Sequence, residues 1–431
     1  MATLSRISRR HFCKTCASSL SALATAQAAL PMWLPRFTFA PDQQNARGDV
    51  LVVVFLRGGA DSLNMIVPHG EESYYRARPE LAIPRPDASG SDPKALDMDG
   101  FFGLHPSFAT LHPIFLGGQM TAIHATGSPD PTRSHFEAMD FMERGTPGDY
   151  GLNTGWIGRH LATLNTGNTS PLRAVGWSTA VQQALRGPIS PVAMRSIVDY
   201  HLNGDQAEAS RMLSALNELY RLDTLPEGEE LQAAADATTS AIEMIGQVDI
   251  AGYRPQNGAT YPEGDFAAAL MQTAALIRAD VGLETAAIDL GGWDTHINQG
   301  GATGNQANLM RALSDGLAAF HADMGTQMSG VTVVVMSEFG RRVAENGSAG
   351  TDHGHGGAMM VMSGSLTTGP VVANWPGLSP DALDSNEDLA ITIDYRDVLS
   401  EVLTRRLNNP YITDIFPNFT PTPNSVGLFG A

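Results

Sequence analysis

The sequence predicts an α/β fold, a three-layer sandwich with a mostly parallel central sheet between two layers of helices. Three observations point there. Short β-branched apolar runs at 49–56, 285–290 and 331–336 read as buried strands. Stretches of helical periodicity separate them, and such alternation favours parallel pairing. Each run ends in a Gly-containing polar loop that carries Asp or His, and ligands of α/β proteins gather beyond the carboxyl ends of strands.

The first run leads into Arg57-Gly58-Gly59-Ala60-Asp61-Ser62. The glycine pair lets the backbone come close to a neighbour. Asp61 is either a ligand there or a turn aspartate capping the next segment. Residues 70–104, rich in Pro, Asp and Gly, read as a surface excursion. Spacing predicts a helix over 105–115, stopped at Gly117-Gly118, and 120–124 reads as a second strand. Pro131 suits the first turn of a helix that Phe136, Met139 and Met142 continue. Thr132 and Ser134 then fall in that turn, near free N–H groups and the positive end of the helix dipole. A hydroxyl so placed is either a nucleophile or a cap.

A helix is expected at 154–164 and a strand at 172–177. Residues 199–262 read as a helical insertion or cap, followed by helices at 265–277, 309–324 and 395–407. The run at 285–290 enters Gly291-Gly292-Trp293-Asp294-Thr295-His296. In an extended segment Asp294 and His296 point to one side. The run at 331–336 enters Ser337-Glu338-Phe339-Gly340-Arg341, and the loop continues to Thr351-Asp352-His353-Gly354-His355-Gly356-Gly357 before the apolar run 358–362. Carboxylate oxygen and imidazole nitrogen in close company suit a divalent transition metal. The alternative for these histidines is a loop residue bonded to backbone. Glu338 and Arg341 read either as an ion pair bracing the loop or as a ligand and a substrate clamp.

The chain has 431 residues, enough for one large α/β domain, and 43% are hydrophobic, which excludes wholesale disorder. At the N-terminus, Ser8-Arg9-Arg10-His11-Phe12-Cys13-Lys14 resembles a twin-arginine export signal. A weakly apolar stretch and Ala26-Gln27-Ala28, a small-x-small cleavage pattern, follow. That stretch is too short and too Ser/Thr-rich to span a bilayer stably. Removing 1–28 takes four of the 27 basic residues and no acid, leaving 23 against 45, a net charge of −22. Such a chain repels nucleic acid and anionic lipid. Both cysteines, Cys13 and Cys16, leave with the signal, so the mature chain has neither disulfide nor Cys-ligated metal. Residues 29–48 read as a linker and 49–431 as the α/β domain.

Five motifs resemble one family: Leu-Arg-Gly-Gly-Ala-Asp at 56–61, Arg-Ser-His-Phe-Glu at 133–137, Gly-Gly-Trp-Asp-Thr-His at 291–296, Ser-Glu-Phe-Gly-Arg at 337–341 and Thr-Asp-His-Gly-His-Gly-Gly at 351–357. It is the twin-arginine-exported family catalogued as domain of unknown function 1501, itself similar to the alkaline phosphatase and sulfatase superfamily. The resemblance implies an alkaline phosphatase-like core. It also implies a metal site drawn from Asp61, Asp294, His296, Asp352 and His353, with His355 in place of the superfamily's final His. Ser134 or Thr132 is the implied nucleophile, with His135, Arg133, Arg57 and Arg341 as further catalytic candidates. The chain departs from the superfamily in its shorter Asp-to-His spacing at 294 and 296 and in having no His after 355. Pro131 also stands where an alignment on His135 places the nucleophile.

The expected function is therefore a periplasmic or secreted hydrolase, carried by the twin-arginine export machinery. It would use one or two divalent ions, zinc or manganese, on a phosphate or sulfate ester, small or polymeric. The other expectation is an envelope protein that keeps the fold and a metal, lacks turnover, and acts through a protein partner.

Overall fold

The computed structural model describes residues 48–197, 211–212, 214–215, 228–246, 248–250, 252–423 and 426–430. The chain divides into Met1–Phe39 and Ala40–Ala431, and every described residue belongs to the second unit. The export signal at 1–28, the linker up to residue 47, and 199–227 of the helical insertion apart from four residues lie outside the described residues.

The strands are β1 (Val50–Arg57), β2 (Ile66–Val67), β3 (Leu96–Asp97), β4 (Gly103–Leu104), β5 (Met120–Gly127), β6 (Ala174–Trp177), β7 (Val192–Ala193), β8 (Thr285–Gly291), β9 (Val331–Ser337), β10 (Gly357–Ser363), β11 (Val371–Ala373) and β12 (Ile393–Asp394). Nine form one sheet in the order β11-β5-β10-β9-β1-β8-β6-β7, with β12 also on β5; β2, β4 and β3 form a small separate sheet. Within the large sheet β10 is antiparallel to both β5 and β9, and all other pairs are parallel. β5, β9, β1 and β8 therefore point the same way, and their carboxyl ends share one edge.

β1 lies at the centre, with Leu51, Val52 and Val54 wholly buried. A near-continuous Val/Leu/Phe run is what a strand covered on both faces requires. Its alternate residues enter different cores. Val50, Val52, Val54 and Leu56 share one with Phe266 and Leu270 of α4 (Asp265–Arg278) and Leu313 and Leu317 of α5 (Asn305–Met324). Leu51, Val53 and Phe55 share the other with Trp156 and Leu161 of α2 (Trp156–Thr163) and Val398, Leu399 and Val402 of α6 (Tyr395–Arg405). This period-two split is the three-layer architecture expressed in one strand. The remaining long helices are α1 (His135–Arg144) and α3 (Gly228–Ile245).

Three local expectations are corrected. The helix expected over 105–115 is broken into a 3₁₀ turn, Pro106–Phe108, and a short helix, His112–Leu116, because Pro113 inside the expected helix donates no backbone bond and crowds the preceding turn. The excursion at 70–104 is partly packed in: Tyr74, Ile83 and Leu104 are fully buried. α1 begins at His135 with Ser134 as its N-cap, so Thr132 precedes the helix. Thr132 is held outside by its own bonds, accepting from Ser134 N and donating to Glu137. No described helix is long and apolar enough to cross a membrane.

Candidate metal centre

Three loops at the shared carboxyl edge deliver one cluster. The β5–α1 loop sets His135 at the first position of α1, the loop after β8 brings Asp294 and His296, and the β9–β10 connection brings His353. Candidate ligand atoms of His135, Asp294 and His353 lie within 4.8 Å of one another. Asp294 Oδ1 is the focus. It lies 3.3 Å from His135 Nε2, 3.0 Å from His296 Nε2 and 3.1 Å from His353 Nε2, and accepts from Arg341 at 2.7 Å. The side chains grow more exposed across the group, from 18% for His135 to 47% for Asp294, so the cluster opens to solvent on the Asp294 side.

Each imidazole meets an acceptor on its other nitrogen. Glu338 Oε1 accepts from His135 Nδ1 at 2.7 Å, Asp352 Oδ1 from His296 Nδ1 at 3.1 Å, and the Arg133 carbonyl from His353 Nδ1 at 2.9 Å. An acceptor at Nδ1 keeps the proton there and turns the Nε2 lone pair outward, the arrangement of metal-binding histidines. His135 Nε2 is buried and has no hydrogen-bond partner among the described residues. Three outward-facing imidazole nitrogens beside one carboxylate oxygen fit a divalent transition metal by donor chemistry.

The electrostatics follow from these contacts. The bond to Glu338, more than burial, raises the His135 pKa above its ordinary value. Burial dominates at His353 and lowers its pKa. At Asp294 burial favours the neutral form, but Arg341, His353 and His296 outweigh it and hold the carboxyl well below the usual range. The Asn346 amide, with His296, lowers Asp352.

Arg341 is the brace of the site. Almost fully buried, it donates to the carbonyls of Gly58, Gly59, Trp293 and Thr351 as well as to Asp294, tying three loops together. The glycines around it are required by space. A Cβ on Gly58, at φ +124°, would stand 2.6 Å from Asp294 N, and one on Gly354 2.4 Å from the Arg341 carbonyl carbon. Phe339 packs its ring 4.8 Å from His135 and 5.0 Å from His353 as an apolar wall.

Other candidates sit elsewhere. Asp61 is fully buried, its two oxygens taken by Arg78 at 2.6 and 2.9 Å, with Gln299 at 2.7 Å. Gln299 in turn accepts from Thr295 and Thr351, so Asp61 underpins the loops rather than joining the cluster. Asp352 touches His296 and Asn346 and orients the ring. His355 has both nitrogens engaged, by Asp384 at 2.6 Å and the Ser128 carbonyl at 3.1 Å. Arg57 is bound by Glu143 and Asp289, and Arg133 by Asp388. Glu338 and Arg341 do not pair with each other: Glu338 accepts from His135, Gly58 N and Ser337. Thr132 Oγ1 is spent on Glu137, whereas Ser134 Oγ has no hydrogen bond among the described residues. Sequence reasoning did not find Asn346, Asp384 or Asp388. Their partners are 6 to 255 residues away in the chain, and no local pattern marks them.

Fold and site together define an α/β protein with a histidine-rich candidate metal centre at the carboxyl edge of its sheet. Residues 49–406 match the profile described as "Protein of unknown function (DUF1501)", and the chain belongs to that family. No curated protein matches it. Among solved structures it is similar to the C-terminal periplasmic domain of EcEptC from Escherichia coli, in complex with Zn. That likeness has 10% identity and a TM-score of 0.31, over 74% of this chain and 77% of that one. It is also similar to alkaline phosphatase from the Antarctic bacterium TAB5, at 8% identity and TM-score 0.29, over 74% and 92%. The functional reading rests on the site's own residues.

Proposed function

We propose that this protein is an exported, metal-dependent ester hydrolase whose metal is held by His135, His296, His353 and Asp294. The observation that carries the reading is the convergence of three Nε2 atoms on Asp294 Oδ1, each ring anchored by an acceptor at Nδ1. A divalent ion supplies Lewis acidity toward an ester oxygen and lowers the pKa of a water. The chain's residues prepare for it. Glu338, Asp352 and the Arg133 carbonyl hold the ring protons away from the centre, and Arg341 fixes the Asp294 carboxylate. Phe339 keeps water from the buried side. Ser134 Oγ, at the N-cap of the ten-residue α1 and next to His135, is the hydroxyl left for nucleophilic attack. Phosphate and sulfate esters are the first substrate class to test, zinc and manganese the first metals. The arginine pair at 9–10 and the cleavage pattern at 26–28 support export to the periplasm by the twin-arginine route.

The test is elemental analysis of the chain lacking 1–28, beside His353→Ala, followed by an ester panel. Bound metal lost in the variant, with metal-dependent turnover, supports the reading. No metal after reloading removes it. One observation favours the second reading, a metal-binding envelope protein without turnover that acts through a partner. Arg57, Arg133 and Arg341 are each committed to a carboxylate, leaving none of the three free to steady developing negative charge. A metal-dependent rise in Tm with no turnover on any ester would support that reading.

A further inference from the structure

The segment 128–134 supplies the approach to His135 and the carbonyl that anchors His353, yet its own backbone holds it poorly. Pro129 and Pro131 have no N–H to give. The backbone N–H groups of Asp130, Thr132 and Ser134 donate to side chains within the segment. The segment's end is joined to α1, by the Thr132 hydroxyl donating to Glu137 and the Ser134 carbonyl accepting from Ala138 N, and three further ties reach it from the β9–β10 connection and the turn at 384–388. His353 Nδ1 bonds the Arg133 carbonyl, His355 Nε2 bonds the Ser128 carbonyl, and Asp388 Oδ2 accepts from the Arg133 guanidinium.

The last two ties lead to one turn. Asp384, which holds His355 Nδ1, and Asp388 bond each other's backbone: Asp384 N donates to Asp388 O at 2.9 Å and Asp388 N to Asp384 O at 3.0 Å. The turn grips the segment at both ends, at Ser128 through His355 and at Arg133 directly. Asp388 is fully buried and Arg133 is 35% exposed, so the carboxylate grips the guanidinium from inside the fold. His355, a ligand candidate by sequence, is one arm of this clamp.

We propose that Asp388 is a positioning residue for the metal centre: by holding Arg133 it fixes the carbonyl that keeps the His353 proton on Nδ1 and sets the loop that presents His135. The inference rests on the metal reading above and adds a residue that touches none of the four ligands. Mutating a direct partner of a metal-bound histidine typically costs about tenfold to a hundredfold in metal affinity, and Asp388 acts through one such partner, the Arg133 carbonyl.

The experiment is a Co²⁺ titration of the chain lacking 1–28, following affinity and the visible ligand-field spectrum. Wild type, Asp388→Asn, Arg133→Gln and the double variant are compared with Asp323→Asn. Asp323 is a buried carboxylate remote from the cluster that accepts from Tyr253, Tyr261 and Gln256 N, and it reports ordinary structural damage. Expected are Co²⁺ affinities about tenfold or more weaker in both single variants, with an altered spectrum. The double variant should be no weaker than the worse single, because the two side chains act as one unit. Asp323→Asn should lose stability and keep the wild-type affinity and spectrum. Should Asp388→Asn fail to fold, Arg133→Gln carries the test, since Arg133 is 35% exposed. Wild-type affinity and spectrum in a folded Asp388 or Arg133 variant overturn the positioning role alone. Absence of Co²⁺ binding by the wild type overturns the metal reading and this proposal together.

Discussion

His296 Nε2 lies 2.9 Å from His353 Nε2. Both rings have an acceptor at Nδ1, so two lone pairs would face each other at hydrogen-bond distance unless a cation lies between them. A proton relieves one pair of nitrogens; a metal serves both of them together with His135 and Asp294. The first prediction is one equivalent of zinc or manganese per chain, measured by elemental analysis. Binding should raise Tm, and at a free metal concentration about a hundredfold above Kd the gain is about 2.7 kcal/mol. His353→Ala should lose both the metal and the metal-dependent part of Tm. Two equivalents would contradict a single centre built on one carboxylate oxygen.

Asp61 and Asp294 both follow a Gly pair after a parallel strand, and structure separates them. Asp61→Ala leaves the buried Arg78 guanidinium without its carboxylate and should cost about 3–5 kcal/mol in urea unfolding. Asp294→Ala removes a carboxylate whose side chain is 47% exposed and leaves the buried Arg341 its four carbonyl acceptors, so it should cost less stability than Asp61→Ala while abolishing tight metal binding. Equal stability losses, or metal lost only in Asp61→Ala, would reverse these assignments.

How much of this was legible in the sequence is clear from that pair. Strand runs announce themselves because burial on both faces demands unbroken apolar residues, and 49–56, 285–290 and 331–336 fall within one or two residues of β1, β8 and β9. Asp294, His296 and His353 stand out because Asp and His crowd into Gly-rich loops at strand ends. What such a pattern cannot convey is direction. Asp61 turns inward because Arg78 waits inside the core, and His355 turns toward Asp384, 29 residues on. Whether a loop carboxylate meets a metal or a guanidinium depends on a partner supplied by tertiary structure. Glu338 shows the converse. By sequence it reads either as a brace paired with Arg341 or as a ligand, and it becomes the partner of His135 because β5 and β9 both flank β10.

Arg341 bonds four carbonyls and Asp294 from a buried position, a task a single ammonium cannot perform. Arg341→Lys should therefore destabilise the protein by about 3 kcal/mol or more, since several buried carbonyls lose their donors at once. Metal affinity should fall with it, because Gly58, Trp293 and Thr351 mark the three loops the guanidinium joins. Urea unfolding gives the first quantity and Co²⁺ titration the second. A change in metal affinity with unaltered stability would show that Arg341 acts through Asp294 alone.

Away from the site, His160 predicts how stability responds to acid. It is buried, and Asn409 Nδ2 donates to its Nδ1 at 2.9 Å, which requires a bare nitrogen. Burial pushes its pKa down to about 4, while the unfolded chain keeps the ordinary value near 6.5. Below about pH 6.5 the unfolded state binds the proton that the folded state refuses, so stability falls as pH falls. The loss grows until the folded group itself titrates near pH 4. At pH 5 this one group costs about 2 kcal/mol relative to pH 7.5. His105 and His124, also buried and lowered to about 4, steepen the decline. The measurement is the urea midpoint from pH 7.5 to 5.0 for wild type and His160→Gln, both with metal removed. The variant starts less stable and should show a shallower slope, because one proton-linked site has gone. Parallel slopes would mean that His160 is protonated in the folded protein, and that the Asn409 amide is turned to present its oxygen instead.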